Sequence, residues 1–201
     1  MKDSDATKGS GPERATTDEY LRSVTIGERK RHNSTIHLVA YDPNWPSQFG
    51  LHARRIRSAL SGKVMLLEHV GSTSVPGLSA KPVIDMLLAV ADSTDEPSYI
   101  PPLEAEGFVL RIREPDWFQH RLLKAPEVDG NLHVFSAGCD EIDRMLRFRN
   151  WLRIHDEDRH LYEKIKRELA ARTWNDVQNY ADAKSAVIGE ILMRAGGAPL
   201  P

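Results

Sequence analysis

Hydrophobic and polar positions divide the chain into three regimes. Residues 1–33 are dominated by Gly, Ser, Thr, Lys and Glu with few apolar anchors, which predicts a mobile polar tail carrying at most a short helix near 18–24. From 36 to 135, short apolar runs alternate with turn formers. The runs at 64–70 and 83–90 are rich in Val, Ile and Leu and bounded by Gly, Ser and Pro, so they predict buried strands. Residues 36–40 predict an edge strand, and 108–112, 121–124 and 131–135 three further strands. The last two are joined as a hairpin over 125–130, where Pro126 and Asp129-Gly130 supply the turn. Ser47 is the expected N-cap of a helix to about Leu60, with Phe49, Ala53, Ile56 and Leu60 on one face and Trp45 as a core anchor. A second helix is expected around 100–106, stopped by Gly107.

Beyond Asp140 the period turns helical to the end. Ile142, Met145 or Leu146, Arg149 and Leu152-Arg153 recur on successive turns. A following helix starts at Asp156 with Leu161, Ile165 and Leu169 on its apolar seam. A third starts near Gln178 with Ala181, Val187-Ile188 and Ile191-Leu192. The expected fold is therefore α+β: a mixed β-sheet flanked by helices, with a C-terminal helical layer. One domain spans 34–196 between a polar N-terminal tail, 1–33, and a short C-terminal one, 197–201.

Composition narrows the function classes. At 40% hydrophobic and 28% charged, the chain is an ordinary soluble globular sequence. A net charge of −2 argues against nucleic acid as partner, and the Arg29-Lys30-Arg31-His32 run reads as a solvated charge cluster with no assigned role. No apolar run approaches the roughly 20 residues of a membrane span. The opening residues lack the apolar stretch of a signal peptide, and the single cysteine, Cys139, forbids an intrachain disulfide, so a cytoplasmic location is expected. Cys139 has no argued base partner and receives no role.

Candidate chemistry concentrates in 64–90. Glu68 and His69 precede the corner Gly71-Ser72-Thr73-Ser74, Lys81 precedes Pro82, and Asp85 interrupts the second apolar strand. A carboxylate in such a strand must be paired, hydrogen-bonded or on a cation. A Gly-Ser corner can present backbone N–H groups and a hydroxyl to a phosphate, and an Asp on the next strand can hold the accompanying Mg²⁺. Glu68 is equally suited to an ion pair with Lys81 or an arginine. A second polar group comprises Arg111, Arg113, Glu114, His120, Arg121 and His133. His133 points opposite to Leu132 and Val134 on its strand, as a phosphate ligand, a base or a satisfied structural histidine. Arg149 and Arg153 share a helical face suited to a phosphate, an acidic substrate or acidic side chains; Tyr180 and Lys184 are likewise neighbours one turn apart.

The run Glu68-His69-Val70-Gly71-Ser72-Thr73-Ser74-Val75-Pro76-Gly77-Leu78, followed by Ala80-Lys81-Pro82-Val83-Ile84-Asp85, resembles the signature of the GrpB family. The likeness runs from about Ile36 to Arg194 through Asp42-Pro43-Asn44-Trp45, Asn131-Leu132-His133-Val134-Phe135, Trp151-Leu152-Arg153 and Tyr180-Ala181-Asp182-Ala183-Lys184. It implies a nucleotidyltransferase-like fold of the polymerase-β superfamily. In that superfamily the Gly-Ser corner holds nucleotide phosphates, and two carboxylates one residue apart, with a third on a later strand, bind two metals. Gly71-Ser72 and Asp85 match, but Leu87 stands where the second carboxylate belongs. Three readings follow. The first is a Mg²⁺-dependent nucleotidyltransferase with Asp85 as metal ligand, Gly71, Ser72, Thr73, Ser74 and Lys81 on phosphates, and Arg113, His120, Arg121, Arg149, Arg153, Tyr180 and Lys184 on substrate. The second is a non-catalytic module for a nucleotide or another phosphate-bearing or acidic small molecule. The third is a ligase-like or cyclising enzyme using Glu68, His69 and His133 as acid and base.

Overall fold

The computed structural model describes residues 17–29 and 34–196. The remainder of both expected tails, with Lys30, Arg31 and His32 of the basic run, lies outside the described residues. Strands β1 (Leu66–Val70), β2 (Ile84–Val90), β3 (Val109–Glu114), β4 (His120–Lys124) and β5 (Gly130–Ser136) form one mixed sheet in the order β1-β2-β5-β4-β3. β2 and β5 run parallel, and the other neighbours are antiparallel. The helices are α1 (Asp18–Val24), α2 (Trp45–Leu60), α3 (Ile100–Ala105), α4 (Asp140–Ile154), α5 (Asp156–Ala170), α6 (Val177–Asp182) and α7 (Ser185–Arg194).

Helices α2 and α3 cover one face of the sheet. Ile56, Leu60 and Leu103 pack there with Leu67, Met86, Leu88, Leu123, Leu132 and Val134. α4 covers the other face, setting Ile142 against Val70, Leu87, Ala89 and Phe135. β2 is thus covered on both sides, which is why it reads as a nearly continuous apolar run; Asp85 alone within it is not buried. The α4, α5 and α7 helices also close over the β1–β2 connection, with Leu152, Tyr162, Val187 and Ile191 around Val75 and Leu78.

The expected sheet, its flanking helices and the C-terminal layer are present, and several local expectations change. Residues 36–40 form no strand. Val39 exchanges both backbone bonds with Ala80, and the Ile36 N–H bonds Ala170 O, so the segment straps two loops together instead of extending a sheet edge. α2 starts at Trp45, with Asn44 as N-cap and Pro46 in its first turn, not after Ser47; proline presets the helical φ and Trp45 is already in the core. The third C-terminal helix is two helices, broken at Ala183-Lys184. In α5 the buried residues include Asp158, Tyr162, Lys166, Leu169 and Ala170, while Leu161 is exposed. The helix is rotated because its polar side chains, not Leu161, reach inward. The short helix near 18–24 is present and docked, with Leu21 and Val24 buried and the Ile26 N–H on Arg111 O.

The corner after β1 depends on one glycine. Gly71 adopts φ 68° and ψ −173°, a region that only glycine occupies readily. A Cβ there would stand 2.5 Å from Asp85 Oδ2 and 3.0 Å from Asp85 Cβ. Gly71→Ala therefore carries both backbone strain and a clash. The expected outcome is a loss of about 1–3 kcal/mol or more in a urea melt; an unchanged midpoint would contradict this account of the corner.

Candidate functional site

Asp85 stands opposite Val70 of β1 and beside Asn131 of β5, where the parallel strands begin. Asn131 Nδ2 donates to Asp85 Oδ1 at 2.8 Å. His133, two residues along β5 on the same face, places Nε2 3.8 Å from the same oxygen. The two side chains are 29% and 21% exposed, so the pair opens to solvent.

Three lysines from separate segments lie within electrostatic reach of this carboxylate. Lys81 lies on the β1–β2 connection, Lys166 on α5 and Lys184 at the α6–α7 break, and each feels the Asp85 charge. Lys166 is 2% exposed and donates to Ser79 O at 2.5 Å. Burial, then the neighbouring Lys184, pushes its ammonium down to about 7. Burial also pushes Lys184 down to about 8 against the attraction of Asp85 and Asp182, and lowers Lys81. Lys184 Nζ sits 4.5 Å above the Tyr180 ring, a favourable seat for a cation. The Ser72 side chain lies near Tyr162, whose phenol burial pushes up to about 12. Glu163, Asp182 and Asp129 also lie within electrostatic reach of Lys166, Lys184 and Lys81 respectively, and Asp85 is the carboxylate common to all three.

That donor set does not fit a two-metal centre. Among the described residues no three His, Cys, Asp or Glu side chains converge as metal ligands. Leu87, the residue facing the same way as Asp85, is fully buried under α4. Surface clefts of about 350 Å³ beside Ile36 and about 600 Å³ beside Trp151 are lined by none of the cluster residues.

Of the residues singled out from sequence, the structure gathers Gly71, Ser72, Lys81, Asp85, His133 and Lys184, with Tyr180 under the last. Others do different work. Glu68 pairs with Arg149 Nη1 at 2.7 Å, and the same nitrogen donates to His69 O at 2.8 Å. Arg153 donates to Ser74 O at 3.0 and 2.8 Å, so both arginines clamp the backbone around the corner. The Thr73 hydroxyl donates to Val83 O and the Ser74 hydroxyl to Gly71 O, which turns both side chains into the loop. His69 lies on the opposite face of the sheet from Asp85 and His133, stacked on Phe49 at 5.0 Å; burial pushes its imidazole down to about 4, so it stays neutral. Arg113 and Arg121 also project to that opposite face and share Glu96 at 2.6–2.7 Å. His120 is fully buried, 3.0 Å from His133 and 2.7 Å from Glu114.

Lys166, Tyr162, Asn131 and Glu114 are the cluster members that pattern reading passed over as site residues. Tyr162 and Lys166 are one turn apart on α5, a pairing that apolar periodicity does not register. Burial of Cys139 raises its thiol pKa, consistent with its receiving no role.

The family model described as "GrpB protein" matches residues 35–194. A UPF0157 protein of Halalkalibacterium halodurans is 58% identical over 188 residues, covering 94% of this chain and 96% of that one. A UPF0157 protein of Streptomyces coelicolor is 47% identical, covering 81% and 86%. The crystal structure of conserved protein GrpB from Enterococcus faecalis superposes with a TM-score of 0.70 at 31% identity, covering 79% of this chain and 96% of that one. With the match spanning nearly the whole described domain, the chain belongs to the GrpB family.

Proposed function

We propose that the protein binds a phosphate-bearing small molecule, a nucleotide as the leading class, with its phosphates seated among Lys81, Lys166 and Lys184 at the Gly71-Ser72 corner. The observation that carries this reading is that three lysines from separate segments, each with its ammonium lowered by burial, lie within electrostatic reach of the same carboxylate at the Gly71 corner. A desolvated ammonium group costs free energy unless an anion compensates it, and Asp85, the carboxylate common to all three lysines, is shared among them. Perturbed lysines gathered beside an open carboxylate mark a functional site on physical grounds. The resemblance to nucleotidyltransferases supports a nucleotide, and the lysines take the charge-neutralising part that paired metals play in that superfamily. A Mg²⁺ entering with the phosphates would find Asp85 as its protein carboxylate.

Isothermal titration of ATP and of inorganic triphosphate tests this reading. Wild type is expected to bind both, and Lys184→Met to weaken binding about tenfold or more, as for loss of a charge-assisted hydrogen bond. Binding that survives EDTA supports the lysine seat, whereas no heat with either ligand sinks the reading.

The lysine pKa values also set a direction with pH. Lys166 near 7 and Lys184 near 8 lose protons as pH rises, and an anion prefers them charged. Triphosphate affinity should therefore fall from pH 7 to 9, with proton uptake on binding visible as a buffer-dependent heat; affinity flat across this range would remove these lysines from the site.

Stability moves the other way. The folded Lys166 value of about 7 lies below its ordinary 10.5, so between these the unfolded chain binds the extra proton. The ligand-free wild type should accordingly gain stability relative to Lys166→Met as pH rises from 7 to 9, measured by urea midpoints at each pH. A difference that does not change with pH contradicts the buried-ammonium account.

A further inference from the structure

Tyr99, Tyr162 and Tyr180 are all buried, but their hydroxyls meet different fates. The Tyr99 hydroxyl donates to Ser93 O at 2.6 Å. Tyr162 has the Ser72 side chain near it. Tyr180 is 3% exposed, and its hydroxyl, sealed from solvent, has no hydrogen-bond partner among the described residues. Buried phenols normally find a partner, because a hydroxyl taken out of water and left unpaired costs free energy. An unpaired one in a folded chain therefore calls for an explanation outside packing.

Its surroundings supply one. The Tyr180 ring packs with Leu169 and Ala170 at the end of α5, with Trp174 edge-on at 6.0 Å. Its phenol nevertheless lies within electrostatic reach of the Tyr162 phenol, about two turns earlier on α5. The hydroxyl is thus directed away from the Leu169 end and toward the part of α5 that carries Lys166. Two pairs of the same spacing meet here. Lys166 Nζ stands 5.1 Å from the centre of the Tyr162 ring, and Lys184 Nζ 4.5 Å from that of Tyr180, each lysine four residues after its tyrosine. The first pair is anchored, since Lys166 donates to Ser79 O. In the second, the ammonium rests on the ring and the hydroxyl beside it is unpaired.

We propose that the unpaired Tyr180 hydroxyl is a specificity-determining donor, which bonds a phosphoryl oxygen of the anion that Lys184 holds. This deepens, and rests on, the phosphate reading above. An anion that draws the Lys184 ammonium off the ring also uncovers the hydroxyl beside it. Burial, then the Tyr162 phenol, raises the Tyr180 pKa, so the hydroxyl keeps its proton and meets an anion as a donor. A lysine attracts negative charge from any direction on a flexible stem, whereas a phenol on a packed ring donates along a fixed one. The tyrosine therefore adds direction to a seat in which the lysines supply charge. Without the anion, the unpaired hydroxyl weakens the fold; with it, the same group strengthens the complex.

Calorimetric titration of inorganic triphosphate into the full chain, as wild type, Tyr180→Phe and Tyr99→Phe, tests this together with a urea midpoint for each protein without triphosphate. Tyr180→Phe is expected to bind about tenfold more weakly, as for loss of a charge-assisted hydrogen bond, yet to unfold at a midpoint equal to or above that of wild type. Tyr99→Phe should do the reverse, because it leaves Ser93 O without its donor: a lower midpoint and unchanged affinity. Triphosphate binding by Tyr180→Phe as tight as by wild type overturns the proposal. So does a Tyr180→Phe midpoint below wild type, or its failure to fold, since either gives the hydroxyl a structural partner. An equal loss of affinity in Tyr99→Phe overturns it too, as an unspecific effect. No heat with wild type removes the phosphate seat and this inference with it, whereas heat that is the same in wild type and Tyr180→Phe removes the tyrosine alone.

Discussion

A carboxylate at the start of a doubly buried strand is the constraint around which this molecule is arranged. β2 is covered by α2 and α3 on one face and α4 on the other, and Asp85 is its single polar residue. Such a group must be satisfied. Asn131 meets it from the parallel neighbour, three lysines approach from separate segments, and Gly71 leaves room that any side chain would fill. The parallel pairing of β2 with β5 matters here, because it brings both strand starts to the same end of the sheet and puts Asn131 and His133 alongside Asp85.

The C-terminal helices do more than cover apolar surface. Their long cations bond main-chain carbonyls at the end of β1 and in the β1–β2 connection: Arg149 to His69 O, Arg153 to Ser74 O and Lys166 to Ser79 O. Ser74 and Ser79 lie outside the strands, so the last two bonds satisfy carbonyls that have no strand neighbour. Arg149 and Arg153 thus fix the shape of the Gly71 corner, whereas Lys166 both anchors the loop and lies within reach of the Asp85 charge. Packing and electrostatics are joined in one residue, which explains why α5 turns Lys166 inward and leaves Leu161 outside.

The departures from the nucleotidyltransferase pattern are mutually consistent. Leu87 belongs to the core beneath α4, where a carboxylate would be buried against Phe135 and Ile142. The histidines divide by sheet face: His69 is locked as a neutral, stacked core residue, while His133 and His120 continue the Asp85 face toward Glu114.

What the sequence alone determined was local. The five strands of the sheet, though not the edge strand expected at 36–40, the Gly71 corner, the Gly107 helix stop and the start of α5 at Asp156 are written in period, glycine and capping chemistry within a few residues. Asp85 was legible for the same reason, as a charge inside an apolar run. What depends on long-range pairing was not. Lys166 feels the Asp85 charge from about eighty positions away along the chain, and Arg113 and Arg121 are claimed by Glu96 on the far face. The inward face of α5 is set by polar bonds that apolar periodicity does not see. The link between Glu114, His120 and His133 exists only because β3, β4 and β5 pair in one register around a strained turn. Residue type sets what a side chain can do; the strand register and the sheet face decide which partner it does it with.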